Sequence, residues 1–468
     1  MRRLLVGAAV VMLAPVMAHL AIGPLTRIEP PTQDTPRFTM QERDDVRRAQ
    51  RGWSAVRGVR LVYLAGTPEE IGAQHTALLY DRMAEDERVL WDGFAELVPL
   101  SPARTLLFDI GRVQHRHVSD NFPAERRREI GAQANAFVPD PYASLLPTYQ
   151  RMITLHALYD IALGFERSPL LACTAFGIAP PQSADGHAFF ARAFDFEAAE
   201  VFDQDKVVFI VEEQGAIPFA SVAWPGFIGV VTGMNEEGVA VAVHGARARE
   251  TSTTGMPVPF SLRNVLSKAR TAEEAIALLK SEDVMVSHIV YVGDASGRFV
   301  VVERAPGVPA FVRPSSAITN HFEGPLAGDP KDDEVRKTTT TLERRARIDQ
   351  LLAKVDPASA TKESVLAMLR DHECAAEPCP AGDRRSIDAF IATHGVIADL
   401  TARELWVSEG PRLSGKFVKV KLRGERNDAP PADVEELPAD PALTDGRYTE
   451  GRARAGGPLL GAKKGAAQ

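Results

Sequence analysis

The chain has 468 residues, of which 45% are hydrophobic and 25% are charged, and its net charge is −8. This composition is too apolar for a disordered protein and too poor in cysteine for a disulfide scaffold, and its mild acidity argues against nucleic acid as the main partner. The length allows one large domain or two or three smaller ones. Three cysteines are an odd number, so one has no obvious disulfide partner.

The first residues have the features of an export signal. Two arginines precede an apolar run from Leu4 to Met17, and the small residues at its end would permit cleavage before His19. We therefore expect a signal peptide over residues 1–18 and an exported protein, periplasmic or secreted. Because the apolar run continues to Leu25, an uncleaved membrane anchor is the alternative.

The N-terminal part of the chain is predicted to be mostly helical from residue 40 to residue 170. We assign 19–57 to a linker and the start of this region, and 58–172 to its main part. Thr67 and Glu70 flank Pro68 and Glu69 in the pattern of a capping box, and apolar residues follow at helical spacing. Further helices are expected at 103–113 and 142–162.

After residue 172 the pattern changes to short β-branched segments, which are typical of strands. We expect strands at 207–211, 239–243, 288–292, 299–302, 395–400 and 404–407, and helices at 271–280, 341–355 and 362–370. The turn residues at 294–297 predict a hairpin between two of these strands. This order indicates an α+β fold over residues 173–422. The tail, 423–468, is rich in proline, alanine, glycine and charge, and we expect it to be disordered.

Two of the three cysteines lie close enough in sequence to pair. Cys374 and Cys379 are separated by a short loop, and in an oxidising compartment they are expected to form a disulfide. A metal site with Asp371, His372 and Glu373 is the alternative, although a second ligand pair at regular spacing is missing.

Cys173 is left without a partner. On its own it is most simply a small buried residue. A tight turn follows at 184–186, and the strand after that turn would return Arg192 and Asp195 to the side of Cys173. A guanidinium group near a thiol favours the thiolate, and a carboxylate can orient an amine or a substrate group.

Five motifs in one order resemble the N-terminal-nucleophile (Ntn) cysteine hydrolases, and among them the acyl-coenzyme A:aminopenicillanate acyltransferases. They are Cys173-Thr174, Ala184-Asp185-Gly186, Arg192-x-x-Asp195, Gly233-Met234-Asn235-Glu236-Glu237-Gly238 and Thr319-Asn320-His321-Phe322. The segments Gly66–His75 and Leu405–Pro411 are similar to the acyltransferase and phospholipase B-like branches. The resemblance covers residues 58–420, and choloylglycine hydrolases and acid ceramidase are more distant kin.

The resemblance implies a four-layer αββα sandwich, in which two antiparallel sheets lie between helical layers. It also implies a precursor that cuts itself between Ala172 and Cys173, giving an α chain and a β chain. Cleavage would free the α-amino group of Cys173, whose pKa of about 7.7–8.0 suits it to accept the proton of the adjacent thiol.

Site residues follow from the same resemblance. Cys173 matches the nucleophile, Arg192 its neighbour, Asp195 the contact of the new amino group, and Asn320 the side-chain donor to the oxyanion. Arg344 matches a late active-site arginine, with Arg345 as an alternative. Without the resemblance, Asn320 would be interpreted as a turn residue, and Arg192 and Asp195 as an ion pair at a strand end. Arg344 would be interpreted as part of a solvated helix face.

One position departs from the family pattern. Where the family usually has a second oxyanion asparagine, this chain has His244. A ring nitrogen can donate a hydrogen bond, and a buried core histidine is the alternative interpretation. His75, His115 and His117 form no metal-binding pattern, and we expect no cofactor and no metal.

These observations predict an exported, self-processing cysteine hydrolase or acyltransferase that acts on linear amide bonds of small molecules. A phospholipase B-like or lipid-amide hydrolase, which membrane association through the N-terminus would suit, is one alternative. A catalytically degenerate binding protein is the other. The choice between hydrolysis and acyl transfer stays open.

Overall fold

The computed structural model describes residues 17–163, 171–197, 199–422 and 429–456. Nearly all of the predicted signal peptide therefore lies outside the described residues. In the described part of the chain, no helix combines the length and the apolar character that crossing a membrane requires.

Two β-sheets form the centre of the molecule. The first has 11 strands in the order β1-β2-β3-β4-β7-β8-β9-β10-β11-β12-β13, and the second has 7 in the order β14-β5-β6-β15-β16-β17-β18. The strands of the first sheet are β1 Gln41–Arg43, β2 Val46–Ala49, β3 Gly52–Arg57, β4 Val59–Gly66, β7 Val207–Glu213, β8 Phe219–Ala223, β9 Thr232–Asn235, β10 Ala240–Gly245, β11 His288–Gly293, β12 Phe299–Arg304 and β13 Phe311–Pro314. Those of the second are β5 Leu171–Ile178, β6 Phe189–Phe196, β14 Ala317–Ile318, β15 Ala392–Asp399, β16 Glu404–Ser408, β17 Phe417–Lys421 and β18 Glu436–Leu437.

Helices pack on both sheets, and several of them lie in the N-terminal half of the chain. The first, α1, spans residues 17–25. The others are α2 Pro68–Leu97, α3 Ser101–Gln114, α4 Ala124–Ala136, α5 Thr148–His156, α6 Leu158–Leu163, α7 Val201–Gln204, α8 Val258–Lys268, α9 Ala272–Lys280, α10 Pro330–Thr338, α11 Thr341–Leu352, α12 Lys362–Leu369, α13 Ala442–Asp445 and α14 Arg447–Ala455. Two short 3₁₀ helices span Val118–Asn121 and Pro180–Gln182.

Three hydrophobic cores give the order of the layers. One core lies between the first sheet and a set of helices that includes α2, α4, α8 and α9. The second lies between the two sheets, and the third between the second sheet and helices α11 and α12. The α+β fold class predicted from the sequence is confirmed.

The N-terminal half shares a sheet with the C-terminal half. Strands β4 and β7 pair in parallel, from Arg60 opposite Val207 to Gly66 opposite Glu213, whereas the other strand pairs are antiparallel. A buried ionic cluster lies at the end of this pair. There Arg263 of α8 donates to Glu129 of α4 at 2.9 Å and to Glu213 of β7 at 3.1 Å.

The capping box at Thr67 is confirmed, as are the helices predicted near 271–280, 341–355 and 362–370. The hairpin of β11 and β12 is also confirmed. The segment predicted as one helix at 142–162 forms the two shorter helices α5 and α6.

Two predictions about the organisation of the chain are wrong. Residues 41–66, which the linker and helical assignments at 19–57 and 58–172 included, form strands β1–β4. The largely apolar sequence of β4 suits a strand that is buried on both faces of a parallel pair.

The tail is ordered over 429–456, where Arg452 of α14 donates to the Glu200 carboxylate at 2.8 Å. Residues 423–428 and 457–468 lie outside the described part.

Candidate active site

The hairpin of β5 and β6 carries Cys173 and two of the other predicted site residues. Cys173 pairs with Phe194, Ala175 with Arg192, and Ala172 with Asp195. Because side chains alternate along a strand, Cys173 and Arg192 lie on the face toward the first sheet and Asp195 lies on the opposite face. The hairpin therefore brings Arg192 to the same face as Cys173, as the sequence predicted, whereas Asp195 lies opposite the preceding residue, Ala172.

Arg192 contacts the thiol directly. Its Nη2 donates to Cys173 Sγ at 3.3 Å and to the Val243 carbonyl at 2.5 Å, while Nη1 donates to the Val231 carbonyl at 2.9 Å and to the Thr232 hydroxyl. None of these partners neutralises the guanidinium charge. Burial raises the pKa of the Cys173 thiol, and the charge of Arg192 opposes this increase.

Asn320 and Arg344 hold the backbone of Cys173. The Cys173 N–H donates to Asn320 Oδ1 at 2.8 Å. Arg344 donates to the Cys173 carbonyl at 2.5 Å, to the Thr174 hydroxyl at 2.9 Å and to Asn320 Oδ1 at 3.0 Å. Arg345, the alternative, is instead paired with Asp349 at 3.0 Å on the next face of α11.

Asn320 makes two further contacts, one through its side-chain amide and one through its backbone. Its Nδ2 donates to the Gly245 carbonyl at 3.0 Å, and its backbone N–H donates to the Thr341 hydroxyl at 2.8 Å. The donor of the side chain therefore faces the end of β10, while its acceptor faces the nitrogen that cleavage would free.

Asp195 lies beside the bond between Ala172 and Cys173, because it is opposite Ala172 in the strand ladder. Burial raises the pKa of its carboxyl group to about 7, and the nearby Arg344 opposes this increase. The Asp195 carboxyl can therefore gain or lose a proton close to neutral pH.

The raised pKa of Asp195 predicts a pH-dependent gain in stability when this carboxyl is removed. In the unfolded chain an aspartate has a pKa of about 3.9, so between about pH 4 and pH 7 the folded state binds a proton that the unfolded state has lost, and stability falls as pH rises. In a Cys173→Ala background, which would prevent the expected processing, we expect Asp195→Asn to stabilise the protein more at pH 8 than at pH 5. The difference should be on the order of 2 kcal/mol in urea unfolding.

Glu197, Asp388, Arg384 and Arg344 lie around this carboxyl group and are unchanged in both proteins. An equal effect of Asp195→Asn at the two pH values would contradict the prediction.

His244 faces the same inter-sheet space from β10. It is fully buried, and burial lowers the pKa of its ring well below the usual value, with Arg192 and Arg344 lowering it further. The ring is therefore neutral at pH 7, with one nitrogen that can donate and one that can accept. The backbone of Thr319 is its polar neighbour.

The structure adds residues that sequence reasoning missed. Thr232 lies between Arg192 and His394, whose Nε2 is 3.0 Å from the threonine hydroxyl. The hydroxyl of Tyr159 in α6 is buried with no hydrogen-bond partner within the described residues. Burial raises the pKa of this phenol well above its usual value, and the nearby Cys173 raises it further. These residues come from segments distant in sequence and match no motif, so no signal in the sequence identified them.

The predicted disulfide between Cys374 and Cys379 is confirmed. In the alternative metal site, Asp371 is instead paired with Arg347 at 2.7 Å. His75 accepts a hydrogen bond from the Gly226 N–H at 2.9 Å, and burial lowers its pKa to about 3. Each of these groups therefore has a structural partner.

Comparison with known proteins supports the resemblance. Residues 182–410, just under half of the chain, match the family described as acyl-coenzyme A:6-aminopenicillanic acid acyl-transferase. Over these residues the chain is similar to this acyltransferase family. The matched segment contains Arg192, Asp195, Asn320 and Arg344 and begins after Cys173.

One curated relative of this acyltransferase-like chain is an uncharacterized protein of Archaeoglobus fulgidus. The two are 26% identical over 257 residues, which is 52% of this chain and 42% of that protein. The chain thus spans less than half the length of the relative that it matches.

Three solved structures are similar at low sequence identity. They are the Caenorhabditis elegans ortholog of N-acylethanolamine-hydrolyzing acid amidase (16% identity, TM-score 0.36, 49% of this chain and 93% of that one), a mutant of the conjugated bile acid hydrolase of Clostridium perfringens (14%, 0.38, 57% and 97%) and penicillin V acylase of Agrobacterium tumefaciens (17%, 0.35, 57% and 99%).

Proposed function

We propose that this chain is a self-processing cysteine Ntn hydrolase or acyltransferase that cleaves linear amide bonds of small molecules through a thioester on Cys173. The observation that carries the proposal is the contact of the Arg192 guanidinium with the buried Cys173 thiol, while Asn320 accepts from the backbone nitrogen of the same residue. The charge of Arg192 opposes the increase that burial causes in the pKa of the thiol, and the thiolate is the nucleophilic form.

Processing begins with attack of Cys173 Sγ on the carbonyl carbon of Ala172. The C–N bond of the peptide breaks, the acyl group moves to sulfur, and the Cys173 nitrogen takes up a proton to become an amine. Water then hydrolyses this thioester, releasing the Ala172 carboxylate and restoring the thiol. Asp195, opposite Ala172 in the ladder, is the acid or base suited to that proton transfer because its pKa is near 7.

Turnover uses the same atoms. The freed amine of Cys173 accepts the thiol proton, the sulfur attacks the substrate amide, and the protonated leaving amine departs to leave a thioester. Water gives hydrolysis, and a second amine gives acyl transfer. In this proposal Asn320 Nδ2 donates to the tetrahedral oxyanion, and the neutral His244 ring supplies the second donor.

The self-processing part of the proposal is tested by sequencing the N-termini of the purified protein and measuring its intact mass. We expect two chains, a β chain that begins at Cys173 and an α chain that ends at Ala172. If export removes the proposed signal, the α chain begins at His19. A single uncut chain, or a β chain with another first residue, would overturn the self-processing part of the proposal.

A lipid-amide substrate is a second candidate, favoured by the aromatic groups next to the nucleophile. Phe194, which pairs with Cys173, contacts Trp224 with ring centroids 5.9 Å apart, and Trp224 contacts Phe202 at 5.3 Å. Val89 and Leu90 pack on the same cluster. Faster turnover of a long-chain fatty-acyl amide than of a short polar acyl amide would support this candidate. Turnover of a phospholipid would instead indicate a phospholipase B-like esterase.

A further inference from the structure

Helix α3 has an unusual distribution of polar and apolar side chains. Leu106 and Ile110, one turn apart on the helix, are 60% and 52% exposed, and Leu107 and Val113 are also exposed. Asp109, in contrast, is only 6% exposed. A surface helix of a globular protein normally buries its apolar face and exposes its charges, so α3 has the reverse arrangement.

The polar side of α3 faces α1. The Asp109 carboxylate lies 2.7 Å from His19 Nδ1, and Arg112 donates to the Gly23 carbonyl at 3.2 Å. These contacts fix the orientation of α3, so its apolar side chains are directed away from α1. Leu20 and Leu25 of α1, and Leu97 and Leu100 before α3, are exposed as well.

We propose that this apolar surface, formed by α1 and α3, docks on the surface of a lipid bilayer. An amphipathic helix binds there by inserting its apolar side chains among the headgroups, without crossing the membrane. The apolar run that begins at Leu4 leads directly into α1. An apolar sequence that continues into the exposed leucines suits a bilayer, and a second copy of the chain is an outcome that the test distinguishes.

Docking does not depend on the proposed catalysis, because it uses none of the residues around Cys173. If export removes residues 1–18, the exposed leucines of α1 and α3 remain, so the shorter chain should also bind. Because the inserting groups are uncharged, binding should persist at high salt.

The test is sedimentation of the full chain with phosphatidylcholine vesicles. We compare the wild type with the double variant Leu106→Glu/Ile110→Glu, and we use Val138→Glu as a matched control because Val138 is 73% exposed and lies outside α1 and α3. We expect the wild type and the control to sediment with the vesicles, and the double variant to bind at least about tenfold more weakly. All three proteins should keep the same circular dichroism spectrum and melting temperature.

Three results would overturn the proposal. The first is a wild type that stays in the supernatant, and the second is a double variant that binds as strongly as the wild type. The third is gel filtration without vesicles in which the wild type is a dimer and the double variant a monomer, because a second copy would then be the occupant. A chain that begins at His19 and binds in the same way would support docking through α1 and α3 rather than through the leader.

Discussion

Replacement of Cys173 by alanine is expected to leave the purified protein as one uncut chain and to abolish turnover. The sulfur of Cys173 is the nucleophile of both proposed reactions, self-cleavage and substrate turnover. The backbone nitrogen of the same residue becomes the base only after cleavage, so this one substitution removes both reactions. Loss of a nucleophile that works with its base typically reduces kcat by about 10⁴-fold or more. Denaturing electrophoresis measures the cut, and amide hydrolysis measures turnover.

Cys173→Ser is the informative companion variant, because it keeps a weaker nucleophile in the same position. We expect slow cutting and reduced turnover. The double variant Cys374→Ser/Cys379→Ser is the control for cysteine loss, since these sulfurs form the disulfide and have no part in the proposed chemistry. If Cys173→Ala is cut normally, self-processing through this residue is refuted. If it is uncut but keeps its full biological activity, the binding-protein alternative is supported.

Asn320→Ala is expected to reduce turnover by about 10²- to 10³-fold, because loss of one oxyanion donor typically costs about 2.7–4 kcal/mol. The side chain also accepts from the Cys173 nitrogen, so the alanine variant alone does not separate the two roles. Asn320→Asp separates them, because aspartate keeps the accepting oxygen and loses the donating nitrogen. Under the oxyanion role, kcat should fall as far in Asn320→Asp as in Asn320→Ala.

Asn264→Ala is the matched control, because Asn264 donates to Glu282 at 2.8 Å and touches none of the site residues. Its kcat should stay within a few-fold of the wild type. Recovery of kcat in Asn320→Asp would contradict the oxyanion role and leave Asn320 as a residue that positions the Cys173 nitrogen.

The part of the site that sequence reasoning identified is the part governed by local geometry. The sequence predicted that two successive strands pair with each other, and this pairing places Arg192 on the face of Cys173 and Asp195 opposite Ala172. The connection between the strands, residues 179–188, is longer than the predicted tight turn. Asn320 and Arg344 came from family resemblance, and the choice between Arg344 and Arg345 depended on the rotation of α11. Thr232 and Tyr159 reach the site through contacts between distant segments, which no local pattern encodes.

The same distinction explains the errors in the fold. Strand β4 has its partner β7 more than a hundred residues further along the chain, so its strand character depends on a pairing that sequence periodicity does not report. The ordered tail was missed for a related reason. Helix α14 is largely polar, and its contacts with Glu200 and the Phe390 carbonyl decide its position, whereas composition alone predicted disorder.

The parallel pair of β4 and β7 determines what can happen to the two products of the proposed cut. Cleavage between Ala172 and Cys173 would leave β4 in one product and β7 in the other. Backbone hydrogen bonds would still join the two strands, and so would the buried ion pairs of Arg263 with Glu129 and Glu213. Separation would expose a long unpaired strand edge on each piece, which is an aggregation hazard. The two chains are therefore expected to fold only as one polypeptide and to persist afterwards as an equimolar complex that separately produced halves cannot replace.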